Sequence, residues 1–219
     1  MFDELHVFDD LEGRDAADNM AIDEALLESG IGPSLRFYRW KRPALSFGYF
    51  GRYADAAEEG LHREIVRRWT GGGIVPHGDD LTYSVVIPAG DSQFAKSSPE
   101  IYATVHSAIS RALNENGVIA SLAESAAPRT SEACFANAVR ADVISADRKI
   151  AGAAHRRAQH GLLHQGSIQL STLTAKFRSD LAQLLSKCIL PGNFSPELLR
   201  RAHDIAGSKY GTQDWLTRR

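Results

Sequence analysis

The chain has 219 residues, a formal net charge of −2 at pH 7, 43% hydrophobic residues and 24% charged residues, which is the composition of a folded domain and not of a nucleic-acid-binding or disordered chain. The charged opening residues are unlike a signal peptide and no apolar run could cross a bilayer, so we expect a cytoplasmic protein with neither nucleic acid nor membrane as a partner. Two cysteines are too few for a disulfide framework or a four-cysteine metal site, and no metal site is predicted.

The first quarter of the chain predicts a helix followed by two strands. A helix over residues 19–28 can be capped by Asp15 or Asp18, and its apolar side chains recur on one face. This pattern indicates a surface helix with one buried stripe. Residues 35–40 and 44–50 are short and rich in aromatic side chains, which favours two strands.

Three consecutive glycines, Gly71, Gly72 and Gly73, follow a pair of arginines at the end of a predicted strand. Because glycine has no Cβ, such a loop can expose backbone N–H groups to a ligand that approaches closely. Arg67 and Arg68 would add guanidinium groups that bind carboxylate or phosphate. The stretch therefore predicts a cradle for a small anion, and the alternative is a glycine-rich hairpin turn between two strands.

Strands and helices alternate through the rest of the chain. The predicted strands cover residues 64–68, 81–87, 141–145, 149–156 and 164–170, and the predicted helices cover residues 54–60, 98–115, 174–186 and 195–205. Residues 141–156 read as a hairpin. Cys134 lies on an irregular connection before that hairpin, where a thiol is more accessible than within an apolar strand. These elements predict a mixed α/β domain with a largely antiparallel sheet flanked by helices.

The glycine-rich stretch resembles the signature loop of the lipoate-protein ligase and octanoyltransferase family. It reads Arg-Arg-Trp-Thr-Gly-Gly-Gly-Ile-Val-Pro-His from Arg67 and is followed by Leu-Thr-Tyr-Ser from Leu81. Three further segments match that family: Asn-Met-Ala-Ile-Asp-Glu-Ala-Leu-Leu from Asn19, Lys-Ile-Ala-Gly-Ala-Ala from Lys149 and His-Gln-Gly-Ser from His164. The resemblance implies a biotinyl/lipoyl-transferase-like fold, with residues 1–219 as one catalytic domain and no separate C-terminal accessory domain. The arginine-rich glycine loop of biotin-protein ligases is absent.

The resemblance also implies which residues form the site. Lys149 would hold the acyl carbonyl and stabilise the developing oxyanion, although a lone lysine at the start of a strand is usually solvated. Cys134 precedes Phe135 and resembles the nucleophile of one group of octanoyltransferases, the alternative being a small buried thiol. The residues expected to bind substrate or adenylate are Arg67, Arg68, Gly71, Gly72, Gly73, His77, Asp142, Gly152, Ala153, His164 and Gly166.

The main expectation is an ATP-dependent ligase. Such an enzyme activates lipoate or octanoate with ATP and Mg²⁺ and passes the acyl group from the adenylate to a lysine of a lipoyl domain. Gly73 supports it, because some octanoyltransferases have arginine at that position. Ala141 weakens it, because the ligases have asparagine before the aspartate that corresponds to Asp142. A ligase of this length would need a separate accessory subunit or a compact mechanism of its own.

The alternative is an octanoyltransferase, in which the Cys134 thiolate accepts octanoate from acyl carrier protein as a thioester and passes it to the same lysine. Lys149 would then lower the pKa of the thiol and hold the carbonyl. A third hypothesis is a binding protein that keeps the cradle without turnover. Intact Arg68 and Lys149 argue against that hypothesis.

Overall fold

The computed structural model describes residues 1–125 and 138–218. In chain order the strands are β1 (Phe2–Arg14), β2 (Ser34–Trp40), β3 (Ala44–Phe47), β4 (Glu64–Arg67), β5 (Val75–His77), β6 (Leu81–Pro88), β7 (Ser121–Leu122), β8 (Val143–Ser145), β9 (Arg148–Ala158), β10 (Gly161–Ile168) and β11 (Ser186–Pro191). The α-helices are α1 (Ala16–Ser29), α2 (Tyr53–Glu59), α3 (Ser98–Glu115), α4 (Ala175–Leu185), α5 (Pro196–Ile205) and α6 (Gln213–Thr217).

Two sheets organise the described part of the chain. The large sheet has eight strands in the order β11-β1-β2-β6-β10-β9-β8-β7, and the small sheet has the order β4-β3-β5. In the large sheet β1 runs parallel to both of its neighbours, and all the other neighbouring strands are antiparallel. The predicted mixed α/β fold with a largely antiparallel sheet and flanking helices is therefore confirmed. None of the helices in the described ranges is long and apolar enough to cross a bilayer.

The large sheet has two buried faces, which carry different parts of the site. One face, which we call the α3 face, packs against α3 and α4. The opposite face, the α1 face, packs under α1, with α5 on the far side of that helix. Because successive side chains of a strand alternate, Thr82 and Tyr83 of β6 point to opposite faces.

The prediction that α1 is a surface helix with one buried stripe is wrong. Every residue from 19 to 27 is buried, including the polar side chains of Asn19 and Asp23. The reason is that α5 covers the side of α1 that faces away from the sheet. The polar side chains on α1 instead meet Arg36 of β2, which donates to the Asp23 carboxylate at 2.8 Å and to Asn19 Oδ1 at 2.7 Å.

The glycine loop, residues 71–73, is not a hairpin turn. It joins β4 to β5, and these strands lie on either side of β3 and do not pair with each other. The loop therefore crosses over the end of β3. Gly48 makes this crossing possible, because a Cβ at that position would lie 2.0 Å from the carbonyl oxygen of Gly72.

Sequence patterns missed four of the eleven strands in the described residues, β5 and β7 among them. β1 and β11 were not predicted, and they pair in parallel with each other from distant parts of the chain. The helix predicted over residues 98–115 is α3, and Ser97 caps it in a reciprocal capping box with Glu100. Cys134 lies outside the described residues.

Candidate active site

A cavity lies between the large sheet, the small sheet and α1. It encloses about 410 Å³ of atom-free space, part of which opens to solvent. Its walls are contributed by β2, β3, β5, β6, β9, β10, α1 and the glycine loop, through Met20, Tyr38, Trp40, Ser46, Arg68, Gly72, Val75, His77, Thr82, Gly152, Ala153, Ala154, Gln165, Gly166 and Ser167. Six of these residues, Arg68, Gly72, His77, Gly152, Ala153 and Gly166, are among those predicted to bind substrate.

One wall of the cavity is a hydrogen-bonded chain from Asp80 to Arg68. His77 Nδ1 lies 2.9 Å from Asp80 Oδ2, and His77 Nε2 lies 2.6 Å from Ser46 Oγ. Hydrogen bonds and the nearby His77 ring hold the pKa of Asp80 at about 2, against the effect of burial, so its carboxylate is ionised and accepts the Nδ1 proton. Arg68 donates to the same Ser46 hydroxyl at 2.7 Å. Both ring nitrogens of His77 are thus engaged by the protein.

Arg68 also shapes the glycine loop. Its Nη2 donates to the carbonyl oxygens of Gly71 at 3.0 Å and Gly73 at 2.9 Å. These bonds turn the loop carbonyls toward the guanidinium, and within the described residues no protein acceptor is found for the N–H groups of Gly71, Gly72 and Gly73. The geometry suits a loop that presents backbone donors to a ligand, with Arg68 acting mainly as its support.

Arg67 is occupied by the C-terminal segment. The residue is 1% exposed, and its guanidinium donates to carbonyl oxygens at 2.8–3.2 Å. The five acceptors are the carbonyls of Tyr49, Gly51, Trp215, Leu216 and Arg218. In this arrangement Arg67 ties residues 215–218 to β4 and does not line the cavity. Its expected role as a substrate ligand stays a prediction.

Gln165 is a cavity residue that sequence reasoning did not single out. Its Oε1 accepts from the Thr70 hydroxyl at 2.9 Å, and its Nε2 donates to Asp23 at 2.7 Å. Asp23 in turn accepts from the side chains of Arg36, Tyr38 and Ser84. Gln165 therefore links the glycine loop to α1. Its place in the His-Gln-Gly-Ser segment was a signal that could have drawn attention to it.

Lys149 and Asp142 form a buried ion pair beside the cavity. Their Nζ and Oδ2 atoms are 2.8 Å apart, and the two side chains are 3% and 0% exposed. Asp142 also accepts from the Tyr102 hydroxyl and, at 2.6 Å, from the backbone N–H of Val139. Lys149 is placed against a wall of the cavity at Gly152, where an added Cβ would lie 2.4 Å from Lys149 Cε. Asp142, which was expected to bind substrate or adenylate, thus pairs with the lysine here.

His164 lies on the other side of the sheet from the cavity. On the α3 face its Nε2 is 3.1 Å from the Tyr83 hydroxyl, and its Nδ1 is 2.5 Å from Nε2 of His155. Gly166 leaves space there for the Tyr83 ring, since a Cβ would lie 2.4 Å from it. The structure therefore does not bring His164 together with the other predicted site residues. Among the described residues, no group of three or more potential ligands is arranged to hold a metal ion.

The buried histidines predict acid sensitivity of the fold. Burial lowers the pKa of His106 and of His155 to about 4. Between pH 6.5 and 4 the unfolded chain binds more protons at these positions than the folded chain, so acidification lowers the free energy of unfolding by up to about 1.4 kcal/mol per pH unit for each histidine. Urea unfolding at several pH values in this window should show that slope, and His155→Gln should reduce it. The exposed His203, changed to Gln, serves as the control; a flat profile in the wild type would contradict the prediction.

Comparison with known proteins gives a consistent family. The family model described as lipoyl protein ligase A/B catalytic domain matches residues 15–187. The octanoyltransferase LipM of Oceanobacillus iheyensis is 39% identical over 167 residues, covering 72% of this chain and 61% of that protein. The octanoyltransferase LipM of Carboxydothermus hydrogenoformans is 36% identical, covering 69% and 60%. The chain thus spans about three fifths of the length of these curated relatives.

Solved structures share the fold. A crystal structure of lipoate-protein ligase A bound with ATP superposes with a TM-score of 0.78 at 20% identity, covering 99% of both chains. Protein Ta0514 of T. acidophilum, a putative lipoate protein ligase with bound lipoic acid, gives 0.77 at 21% identity, covering 99% of this chain and 100% of that one. At such identities the likeness concerns architecture alone.

The main expectation from sequence, an ATP-dependent ligase, is wrong. The curated relatives at 32–39% identity are named octanoyltransferases, which favours the alternative. The glycine loop and the lysine segment were matched to the family as a whole, so these motifs could not decide between its branches. Gly73, which had favoured a ligase, is outweighed by the names of these relatives.

Proposed function

This chain belongs to the lipoyl protein ligase A/B catalytic domain family, and from that premise we propose that it is an octanoyltransferase. In this proposal the donor is an octanoyl thioester of acyl carrier protein, and the acceptor is a lysine of a lipoyl domain. Cys134 carries the octanoyl group between them as a thioester. The names of the curated relatives support this choice of reaction.

The observation that carries the proposal is a buried ammonium group beside a cavity suited to an alkyl chain. Met20, Tyr38, Trp40, Val75 and Ala154 supply apolar surface to the cavity. Its polar residues form hydrogen bonds mainly with one another, as in the chain from Asp80 to Arg68, so a ligand need supply few hydrogen bonds to them. Lys149, against Gly152, places a positive charge where the polar end of an acyl group would lie.

The proposed reaction has two steps. The Cys134 thiolate attacks the carbonyl carbon of the donor thioester, and the charge that develops on the carbonyl oxygen is stabilised by the Lys149 ammonium. Collapse of the intermediate expels the donor thiolate, which takes up a proton from solvent, and leaves octanoyl-Cys134. The neutral amine of the acceptor lysine then attacks this thioester, expels the Cys134 thiolate and forms an amide, with loss of one proton from the nitrogen.

Asp142 fixes the position of Lys149 in both steps. Its carboxylate pairs with the ammonium, and its other contacts, from the Tyr102 hydroxyl and the Val139 N–H, keep the carboxylate from turning. An ammonium held in this way needs little reorganisation when the oxyanion forms. Because the donor thioester is already activated, the reaction needs no ATP and gives no role to the accessory subunit expected for a ligase.

The proposal is tested by the intact mass of an unmodified lipoyl domain after incubation with this protein. One reaction contains octanoyl acyl carrier protein without ATP, and the other contains lipoate with ATP and Mg²⁺. We expect an octanoyl mass gain in the first reaction and none in the second. A lipoyl gain in the second reaction alone, or no gain in either, would overturn the proposal. A lipoyl domain whose acceptor lysine is replaced by alanine controls for adventitious acylation.

A further inference from the structure

The α3 face of the sheet contains a chain of buried titratable side chains that the proposed mechanism does not use. We call it the histidine relay: His106 of α3, Tyr83 of β6, His164 of β10 and His155 of β9. The contacts along it are 3.2 Å from His106 Nε2 to the Tyr83 hydroxyl, 3.1 Å from that hydroxyl to His164 Nε2, and 2.5 Å from His164 Nδ1 to His155 Nε2. At the His106 end of the relay, His106 Nδ1 lies 2.7 Å from the carbonyl oxygen of Ala141.

That carbonyl fixes the direction of every hydrogen bond in the relay. A carbonyl oxygen only accepts, so His106 donates from Nδ1, and in the neutral ring its Nε2 must accept from the Tyr83 hydroxyl. Tyr83 has then used its one proton and accepts from His164 Nε2. The remaining nitrogen, Nδ1 of His164, accepts from His155 Nε2. One backbone oxygen thus sets the tautomers of His106, His164 and His155.

Burial keeps the relay neutral. It lowers the pKa of His106 and His155 to about 4 and that of His164 well below its usual value. The charges that face the relay are Asp142 and Lys149 near His106, and Arg157 near His155. With all three rings neutral, the hydrogen bonds keep the one direction that the Ala141 carbonyl sets.

At the His106 end of the relay, the backbone of Ala141 has an unfavourable conformation. Ala141 has φ 68°, in the left-handed region that a residue with a Cβ rarely adopts. Its carbonyl accepts from His106, and its N–H donates to the carbonyl of Ala123 at 2.8 Å. The next residue is Asp142, whose carboxylate pairs with Lys149 at 2.8 Å. The direction in which the Asp142 side chain leaves the backbone therefore depends on the conformation of Ala141.

We propose that the histidine relay sets the position of Asp142, and through it Lys149, so that His106 is a positioning residue for acyl transfer. This inference rests on the proposed function, because the relay would hold in place Lys149, the group that stabilises the oxyanion in that proposal. The relay lies on the face of the sheet opposite to the cavity, where Tyr83 packs against Gly166 of the cavity wall.

Two amide substitutions at His106 distinguish its hydrogen bond to the Ala141 carbonyl from its hydrogen bond to Tyr83. In His106→Asn the side-chain NH₂ lies near the position of Nδ1 and can still donate to the Ala141 carbonyl, whereas in His106→Gln the amide lies near Nε2 and that bond is lost. We expect kcat for octanoyl transfer to fall about tenfold or more in His106→Gln, with KM for the donor unchanged, and to stay within about threefold in His106→Asn. His203→Gln, at an exposed position, is the matched control. Equal rates in the two His106 variants would overturn the proposal.

Nuclear magnetic resonance tests the same idea without an acyl donor. The ¹⁵N signals of the wild-type histidine rings at neutral pH should report a proton on Nδ1 of His106 and on Nε2 of His164 and His155. The ¹³C signal of the Asp142 carboxylate should move in His106→Gln and stay in place in His106→Asn. The opposite tautomer at His106, or a carboxylate signal that is unchanged in both variants, would refute the proposed role of the relay. These readings stand even if octanoyl transfer itself is not observed, so the two failures are distinguishable.

Discussion

Replacing Cys134 with serine should reduce octanoyl transfer by on the order of a thousandfold or more. A cysteine thiol ionises near pH 8.5 and lower beside a cation, whereas a serine hydroxyl stays protonated and is a far weaker nucleophile. The direct measurement is the rate of octanoyl mass gain on the lipoyl domain. A second measurement omits the lipoyl domain. The wild-type protein incubated with octanoyl acyl carrier protein should itself gain an octanoyl group, and hydroxylamine should remove that group. Cys134→Ser should gain none.

The chain offers a matched control for this experiment. Cys188 lies exposed on β11, at the opposite edge of the large sheet from β7 and β8. Cys188→Ser should leave both the transfer rate and the octanoyl adduct unchanged. Wild-type transfer by Cys134→Ser, or loss of the adduct in Cys188→Ser, would refute the assignment of Cys134 as the nucleophile.

Removing the Lys149 side chain should reduce transfer on the order of a hundredfold or more, comparable to the loss of one oxyanion donor. The single variant Lys149→Ala also leaves the Asp142 carboxylate buried without its cation, which is expected to cost about 3–5 kcal/mol of stability. A loss of activity could then reflect unfolding. Rates must therefore be read together with urea unfolding of the same variant.

A double variant separates these two effects. Replacing Asp142 by alanine in addition to Lys149→Ala removes the uncompensated charge, so much of the lost stability should return. Activity should not return, because no ammonium remains beside the cavity. If the double variant transfers octanoate at the wild-type rate, Lys149 has no part in stabilising the oxyanion, and the proposed mechanism fails at this step.

The sequence was informative wherever a local pattern has one structural solution. Strand and helix positions followed from apolar periodicity and caps, and the motifs identified Lys149 and the glycine loop as neighbours of one cavity. The same reasoning could not place His164. A strand alternates between faces, so residues of one motif, here His164 and Gln165, point to opposite sides of the sheet. Only the sheet's position in the fold decides which of them meets the cavity.

Other features depend on contacts between distant parts of the chain. The burial of α1 on its outer side requires α5, which follows about 170 residues later, and the pairing of β1 with β11 joins residues just as far apart. No periodicity within α1 or β1 encodes these neighbours. Arg67 is a third case: three of its five carbonyl acceptors lie in residues 215–218, about 150 residues away along the chain.

The contacts of Arg67 make the C-terminal segment and the strand that leads into the glycine loop one cooperative unit of local unfolding. If residues 215–218 detached, a buried guanidinium would lose most of its acceptors at once, and the remaining carbonyls of Tyr49 and Gly51 could not satisfy it. Opening of the tail is therefore coupled to opening of β4. Amide hydrogens in the two segments should exchange with solvent at linked rates, and a change in residues 215–218 would act on the loop from outside the cavity.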